Sequence, residues 1–488
     1  MENKKKKTLQ MPHTYVIIFA VVVICALMTY LIPVGSFQTQ EISYMVGDTE
    51  KTRTVIVADS FAYELDEAGN RVRNGVPLFG TEDFGGQGML NYVFEGLTSG
   101  DKTGSAVGIV AFILVIGGAF GIVMRTGAVD AGIHTMIRKT KGREIILIPV
   151  LFTLFSLGGA VFGMGEEAIP FAMVIVPLTI AMGYDAVVAV CVTYVATQIG
   201  FGTSWMNPFG LAIAQGIAGV PVLSGAGFRI VMWAVFTAAG VIFTMLYARK
   251  IKKNPMASVS YESDAYYRGQ MAQSDGAAAP FTLGQGLVLL TILVTIVWTV
   301  WGVVVEGYYI PEIASQFFVM GLVAGIIGCV FKLNGMRPSD MASSFQSGAA
   351  DLVGAALVVG MAQGIVIVLG GTDPTTPSVM NTILYTLGNL LSGVPGVLAA
   401  WLMYVFQSLF NFVVVSGSGQ AALTMPIMAP LADGLTNLIV PTSGCLLGVL
   451  GVARLEWGKW AKFQIKMQGM LFVLSTIFVV VAVLIGFN

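Results

Sequence analysis

Gly163-Met-Gly-Glu-Glu-Ala168 and Ser416-Gly-Ser-Gly-Gln-Ala421 are the two stretches of sequence that decide the fold. Each lies between strongly apolar segments. The two stretches are 253 residues apart, and so are the Pro-Leu pairs that follow them at 177–178 and 430–431. Small and polar residues in this context indicate backbone that leaves helical geometry at membrane depth, which is tolerated only inside protein or beside a cavity. A repeated pair of such interruptions is typical of the substrate site of a secondary transporter.

The composition indicates an all-α polytopic membrane protein. Of 488 residues, 56% are hydrophobic and 11% are charged, against about 25% charged in an ordinary soluble domain. Several apolar runs of about 20 residues have the length of a membrane-spanning helix. The net charge of −1 does not suggest a nucleic-acid partner, and the four cysteines lie in apolar stretches. Neither a disulfide framework nor a metal-ligand spacing is present, so we expect no metal and no cofactor.

Charges along the chain predict the orientation of its segments. Residues 1–35 are interpreted as a signal-anchor helix with a cytoplasmic N-terminus, because Lys4 to Lys7 precede a long apolar run without a cleavage site. An acid-rich extracytoplasmic segment at 36–100 is expected to form a loop or small hairpin domain. Basic clusters near 125–143 and 249–253 are expected in the cytoplasm. Helices are predicted at 15–34, 104–124, 145–162, 186–203, 208–222, 226–248, 283–305 and 315–332.

The two halves of the chain read as an inverted-topology repeat. Residues 101–250 form the first copy, 251–282 a cytoplasmic linker, 283–335 a helical hairpin, and 336–488 the second copy. Gly117, Gly121 and Asp130 recur at Gly360, Gly364 and Asp373, a constant offset of 243. We interpret the glycines as helix-packing residues and the aspartates as caps or turn residues.

The second copy is shorter than the first. Gly216-Ile-Ala matches Gly451-Val-Ala at an offset of 235, which is 18 residues less than the offset of 253 at the interruptions and close to the roughly 20 residues of one membrane crossing. Either this copy lacks one helix after Asp433, which we favour, or the match across 431–441 is wrong. Without that helix, Arg454, Lys459 and Lys462 are expected on the outer face, against the positive-inside tendency.

Glu166 and Glu167 are the strongest candidates for substrate contact. An ionisable residue at membrane depth costs about 2.5 kcal/mol or more on insertion scales, so it is a functional hypothesis by default. Two adjacent carboxylates repel unless one is protonated or a cation lies nearby. The pair therefore suits a cationic substrate, a proton relay or a sodium site. The alternative is that one glutamate caps the helix expected to begin near Ala168.

The other candidate site residues are neutral. The second interruption and the two downstream helix breaks offer donors and acceptors that could hold a substrate beside exposed backbone amides, although hydrogen bonds within the helices are the alternative for each hydroxyl. The candidate side chains are Ser416, Ser418, Gln420, Thr203, Ser204, Asn207, Thr442 and Ser443, and the flexible hairpin backbone is at Gly163, Gly165, Gly417 and Gly419.

Several motifs resemble the YfcC branch of the four-carbon dicarboxylate uptake C (DcuC) family, within the ion transporter superfamily. They are Pro12-His13-Thr14, Asn207-Pro208-Phe209, Ala214-Gln-Gly-Ile-Ala-Gly-Val-Pro221, Asn437-Leu-Ile-Val-Pro-Thr-Ser-Gly444 and Trp457-Gly-Lys-Trp460. The resemblance implies re-entrant hairpins at 163–184 and 416–433, a mobile domain that carries them, an elevator motion and a homodimer in the lipid bilayer. Family members usually carry a further helix after the second hairpin, which agrees with the shortfall after Asp433.

The resemblance leaves the substrate open. It implies either four-carbon dicarboxylates or, as in relatives of this branch, basic amino acids of the arginine/ornithine type. The absence of a basic residue from both interruptions favours a cationic substrate, because carboxylates pair with guanidinium or ammonium groups. A third reading keeps the glutamates for protons or sodium and the substrate anionic. A channel and a membrane enzyme are weaker alternatives. We expect a non-enzymatic antiporter of the bacterial cytoplasmic membrane with a proton or sodium as a candidate coupling ion.

Overall fold

The computed structural model describes residues 13–46, 49–57, 59–80, 87–102, 106–132, 135, 144–207, 211, 215, 224–274, 281–391, 393–413 and 429–486. Within this part the chain is mainly helical. The helices are α1 Thr14–Leu31, α2 Tyr92–Thr98, α3 Ala106–Arg125, α4 Leu147–Phe162, α5 Ala168–Ala181, α6 Ala186–Gly202, α7 Ala226–Lys253, α8 Ala265–Ser274, α9 Leu283–Trp301, α10 Ile310–Val330, α11 Pro338–Asp351, α12 Val353–Val368, α13 Val379–Leu391, α14 Gly396–Phe410, α15 Ala429–Thr436, α16 Gly444–Val452 and α17 Trp457–Leu484.

Seven of the described helices are long and apolar enough to cross a membrane, and an eighth crossing results if α11 and α12, which meet at a 45° bend, count as one span. The seven are α1, α3, α4 together with the 3-10 turn that precedes it (Glu144–Val161), α7, α9, α10 and α17. This confirms the expected fold class of a polytopic helical membrane protein. The helix predicted at 208–222 lies largely outside the described residues.

A small β-structure follows the first helix. Strands β2 Thr39–Val46 and β3 Thr49–Ile56 form an antiparallel hairpin, and the short strands β1 Gly35–Ser36 and β4 Ala62–Tyr63 pair beside it. Asp66 closes the next turn by accepting hydrogen bonds from the backbone N–H groups of Ala68 and Asn70. The carboxylate takes the place of a backbone acceptor in such a turn. A β-hairpin therefore lies between the first two apolar helices, within the segment for which the sequence left a loop or a small hairpin domain open.

Helix α6 is a deeply buried element of the described structure. Every residue from Ala186 to Gly200 is buried, as expected of a helix that is apolar on all sides. It packs against α4 on one side and α15 on another. Its middle, Cys191–Val195, winds as a π-helical turn, a local irregularity that is frequent at functional sites.

The GxxxG spacing of α3 serves helix packing, as predicted. Gly117 and Gly121 lie directly against the backbone of Gly348 and Ser344 on α11. Any side chain at these positions would overlap the facing carbonyl oxygens, so the close approach of α3 and α11 depends on the glycines. This contact forms one wall of a cavity described below.

Helices α7 and α17 run antiparallel, and this arrangement corrects one expectation. The ring of Phe478 lies 5.6 Å from that of Phe228, near the start of α7, whereas Phe463 lies 4.6 Å from Tyr247, near the end of α7. Helix α17 thus begins on the face at which α7 runs into the linker. Lys459 accordingly lies 3.4 Å from Glu262 of that linker.

The expected placement of Arg454 and Lys459 on the face opposite the linker is therefore wrong. Arg454 also contacts the linker, through the ring of Tyr266. The physical reason lies in one short helix. With nine residues, α16 is about 14 Å long, whereas a crossing needs about 30 Å. Counting this apolar segment as one complete crossing consequently gave the wrong side.

Candidate functional site

The first interruption forms a sharp break between α4 and α5. Gly163 ends α4 in the left-handed conformation, with φ of 70°, which glycine adopts without strain. Residues 163–167 are non-helical and α5 begins at Ala168, as the sequence predicts. The backbone therefore leaves helical geometry between two apolar helices, where its polar groups need partners from the protein.

Glu166 and Glu167 lie in this break and are partly exposed, whereas Met164, Gly165 and Ala168 around them are buried. Glu167 directly precedes α5, but its side chain does not cap that helix. Its Oε2 instead accepts a hydrogen bond of 2.8 Å from the backbone N–H of Gly165. In the described part of the chain neither carboxylate forms a salt bridge. Two partly accessible carboxylates thus remain open to a ligand.

The downstream break of the first half packs against the same turn. Asn207 lies so close to Gly163 that any side chain at position 163 would overlap the Asn207 amide. Thr203 is fully buried and donates to the carbonyl oxygen of Ile199 at 2.7 Å, a hydrogen bond within its own helix. The buried hydroxyl of Ser204 has no hydrogen-bond partner among the described residues. The structure therefore brings Asn207 to the first break and gives Thr203 a helical bond.

The second half reaches the first break through α16. The Cys445 Sγ lies 3.1 Å from the carbonyl oxygen of Gly165. Ser443 caps α16 by accepting from the Leu446 N–H at 3.3 Å, and Thr442 donates to the Phe412 carbonyl oxygen at 2.9 Å. Both hydroxyls thus have structural bonds.

Tyr194 joins the two halves of the candidate site. It lies in the π-helical turn of α6, and its hydroxyl donates to the Asn437 carbonyl oxygen at 2.8 Å and lies 3.2 Å from the Ser443 hydroxyl. It also interacts electrostatically with Glu166 and with Asp433. Sequence reasoning missed Tyr194, because nothing in an apolar run marks one tyrosine as a link between the halves.

Asp433 is the third carboxylate of this region, and sequence reasoning missed it. It is 4% exposed and accepts a hydrogen bond of 3.0 Å from the Asn437 amide. Tyr309, at the start of α10, interacts electrostatically with Asp433, Glu166 and Glu167, so the three acidic groups share one neighbourhood. The rule that treats an ionisable residue in an apolar segment as functional could have identified Asp433.

The second interruption lies outside the described residues, as does most of the predicted hairpin at 416–433. Its candidate residues are Ser416, Ser418, Gln420, Gly417 and Gly419. The final part of the hairpin, α15, packs against α6, with Gly434 placed against Gly202. No group of three or more potential metal ligands occurs within the described ranges. The described site presents carboxylate and carbonyl oxygens, which accept hydrogen bonds and carry negative charge. Such a site suits a ligand with hydrogen-bond donors and a positive charge.

Comparison with known proteins agrees with the resemblance found in the sequence. A family model described as "C4-dicarboxylate anaerobic carrier" (DcuC) matches residues 11–484. The Escherichia coli protein named "Putative basic amino acid antiporter YfcC" is 51% identical over 504 residues, covering 100% of this chain and 99% of the relative. A Haemophilus influenzae protein named only as uncharacterized is 29% identical over 517 residues, with 99% and 98% covered.

Two solved transporter structures are similar at low identity. The Alcanivorax borkumensis YdaH transporter has a TM-score of 0.39 at 15% identity, covering 98% of this chain and 99% of its own. Neisseria gonorrhoeae MtrF, described among antimetabolite efflux pumps, has a TM-score of 0.42 at 11% identity, with 97% and 95% covered.

Proposed function

Because this chain belongs to the DcuC family of bacterial membrane transporters, we propose that it is a secondary antiporter of basic amino acids of the arginine/ornithine type. The observation that carries the proposal is the pair Glu166 and Glu167, partly exposed in the first break and without a salt bridge in the described part of the chain. The name of the Escherichia coli relative supports the same substrate class.

The chemistry of the break supports a cationic substrate. Adjacent carboxylates repel each other in a partly desolvated environment, and Asp433 adds a third acidic group close by. A guanidinium or ammonium group between them would relieve this repulsion. Guanidinium presents several N–H donors in one plane and can bind a carboxylate through two hydrogen bonds at once. The candidate role of Glu166 and Glu167 is therefore to bind the substrate's cationic side chain.

An organic anion is the second candidate substrate, since the family description names C4-dicarboxylates. In that case the glutamates would bind the coupling ion, a proton or sodium, and the substrate would lie beside neutral donors such as Ser204 and Asn207. The two proposals differ in what neutralises the carboxylates. In the antiporter it is the substrate itself, and in the anion carrier it is the coupling ion.

Counterflow in proteoliposomes distinguishes the two candidates. Vesicles loaded with one unlabelled compound are tested for uptake of the labelled compound, with arginine, ornithine, lysine, succinate and fumarate as the panel. The antiporter proposal expects counterflow of the basic amino acids at constant sodium and without a proton gradient. Counterflow of dicarboxylates alone would reject it, and loss of that flux on removal of sodium or of the proton gradient would identify the coupling ion.

The mechanism and assembly are also proposals. We propose an elevator motion in which the break at 163–167, α6 and the region of α15 and α16 move together. Cys445 of α16 contacts Gly165 of the break, and Tyr194 of α6 donates to Asn437 between α15 and α16. A disulfide engineered between α3 and α5, which pack against each other, should stop transport reversibly, and unchanged transport with the bond formed would reject the motion. For the homodimer, native mass spectrometry should give twice the mass of 51.6 kDa, whereas a single-chain mass would contradict it.

A further inference from the structure

A cavity of about 440 Å³ lies beside the linker helix α8. One wall is formed by α3 and α11 at their glycine contact, and the opposite wall by α8 and the turn between α16 and α17. The volume falls in the range of small-molecule sites, about 300–1,000 Å³. Among the residues that the structure describes, three charged side chains line the cavity, namely Arg125, Asp351 and Arg454.

Arg454 has an uncommon backbone conformation in this cavity. Its φ is 51°, a left-handed conformation that costs a residue with a side chain roughly 1 kcal/mol or more. It follows α16 at the position where glycine is the usual helix terminator. An arginine thus occupies a position where glycine would relieve strain, and such outliers cluster at functional sites.

The conformation aims the guanidinium of Arg454 at the cavity wall. It lies 3.6 Å over the ring of Tyr266 and 3.8 Å from the Asp351 carboxylate. The two charged side chains are 41% and 68% exposed, and an ion pair of this exposure contributes at most about 1 kcal/mol. Little free energy is therefore lost when a ligand separates the pair. Tyr267 fixes the wall by donating to the Val452 carbonyl oxygen at 2.5 Å.

We propose that this cavity is a second binding site, separate from the break at 163–167, for the zwitterionic head group of an α-amino acid. Arg454 binds the carboxylate through a charge-assisted hydrogen bond, and Asp351 binds the α-ammonium group. The proposal rests on the proposed function for its ligand class. A neutral or purely cationic ligand would leave Arg454 without an anion, and a dicarboxylate would place negative charge beside Asp351.

Helix α5 relates the position of the cavity to that of the acidic break. Met173 of α5 lines the cavity and lies six residues beyond Glu167, a rise of about 9 Å along the helix. Six residues also turn the helix by about 240°, so Met173 and Glu167 lie on different faces of α5. The second site therefore lies on the linker side of the protein, about one and a half helical turns from the carboxylates and separate from them.

Equilibrium dialysis of the full chain in detergent with radiolabelled arginine tests the second site. The wild type is expected to bind two arginines per chain. Arg454→Gly should bind one, and it relieves backbone strain, so loss of folding is not expected. Asp351→Asn should weaken the same site at least tenfold. Lys459→Gln, which removes a cation on the linker face that does not line the cavity, should still bind two.

Glu167→Gln isolates the second site, because it removes only the site in the break. The remaining arginine should then be displaced by arginine at least tenfold more effectively than by agmatine, which lacks the carboxylate. Two bound arginines in folded Arg454→Gly, or equal displacement by agmatine, would overturn the second site. Two bound arginines in Glu167→Gln would instead reject the site in the break, so the two failures are distinguishable.

Discussion

Asp264 of the linker makes the stability of the protein pH-dependent. Asp264 is 1% exposed, and its Oδ2 accepts a hydrogen bond of 2.9 Å from the Ser260 hydroxyl while its Oδ1 has no partner among the described residues. Burial raises the pKa of Asp264 from 3.8 to about 7, and the nearby Asp185 charge adds to this, whereas the Ser260 hydrogen bond and Arg268 oppose it. Burial also raises the pKa of Asp185.

The sign and size of the effect follow from these pKa values. The folded protein keeps a proton on Asp264 that the unfolded chain releases above pH 4, so the stabilisation is complete at low pH and is lost as the pH rises through 7. With a pKa of about 7 in the folded state, loss of this proton lowers the unfolding free energy by up to about 3 kcal/mol as the pH rises from 5 to 8. Asp264→Asn mimics the protonated carboxyl group and should remove most of this loss.

The assay is the Tm of the detergent-solubilised protein, followed by tryptophan fluorescence at pH 5, 6, 7 and 8. The wild type should lose thermal stability over this range, and Asp264→Asn should be the more stable of the two at pH 8. Glu262→Gln is the matched control, since Glu262 is a linker carboxylate whose side chain is 88% exposed. If Asp264→Asn kept the full pH dependence of the wild type, the assignment to Asp264 would be refuted.

Three further predictions concern packing and sidedness. Tyr194→Phe should lower the unfolding free energy by about 1–3 kcal/mol, because the buried Asn437 carbonyl oxygen loses its donor. Tyr30→Phe is the control: it removes an exposed hydrogen bond and should lower the Tm less than Tyr194→Phe does. Gly200→Ala should destabilise by about 1–3 kcal/mol, since its methyl group would overlap the Ser156 carbonyl oxygen. Gly269→Ala in α8, with open space around it, should leave the Tm equal or higher. Cysteines placed at 262 and 459 should be labelled by an impermeant reagent from the same side of the membrane. This is the cytoplasmic side if the linker is cytoplasmic. Labelling from opposite sides would contradict the contact between Lys459 and Glu262.

The helices and the first break could be predicted from the sequence because their signals are local. An apolar run of about 20 residues suffices to predict a span, and α3 at Ala106–Arg125 begins and ends within two residues of its predicted bounds. The Gly163 terminator and the start of α5 at Ala168 follow from glycine and charge in an apolar context. The packing role of Gly117 and Gly121 follows from their spacing.

The tertiary features could not be predicted because apolar helices do not specify their neighbours in sequence. The pattern of α6 is apolar on all sides, so it predicts burial but not the contact of Tyr194 with Asn437. Asp433 was used only to locate the shortfall in the second repeat, although the rule applied to Glu166 and Glu167 applies to it equally. The expected side of Lys459 depended on whether α16 crosses the membrane completely, which a hydropathy pattern does not determine.

Exchange of labelled arginine in proteoliposomes by Glu167→Gln, compared with Glu262→Gln, tests the central claim most directly. The glutamine keeps an acceptor for the Gly165 N–H and removes the charge, so the variant should fold with the Tm of the wild type. A cationic substrate held by this carboxylate predicts exchange at background level in Glu167→Gln and at the wild-type rate in Glu262→Gln. Exchange at the wild-type rate in Glu167→Gln would contradict the role of the acidic break.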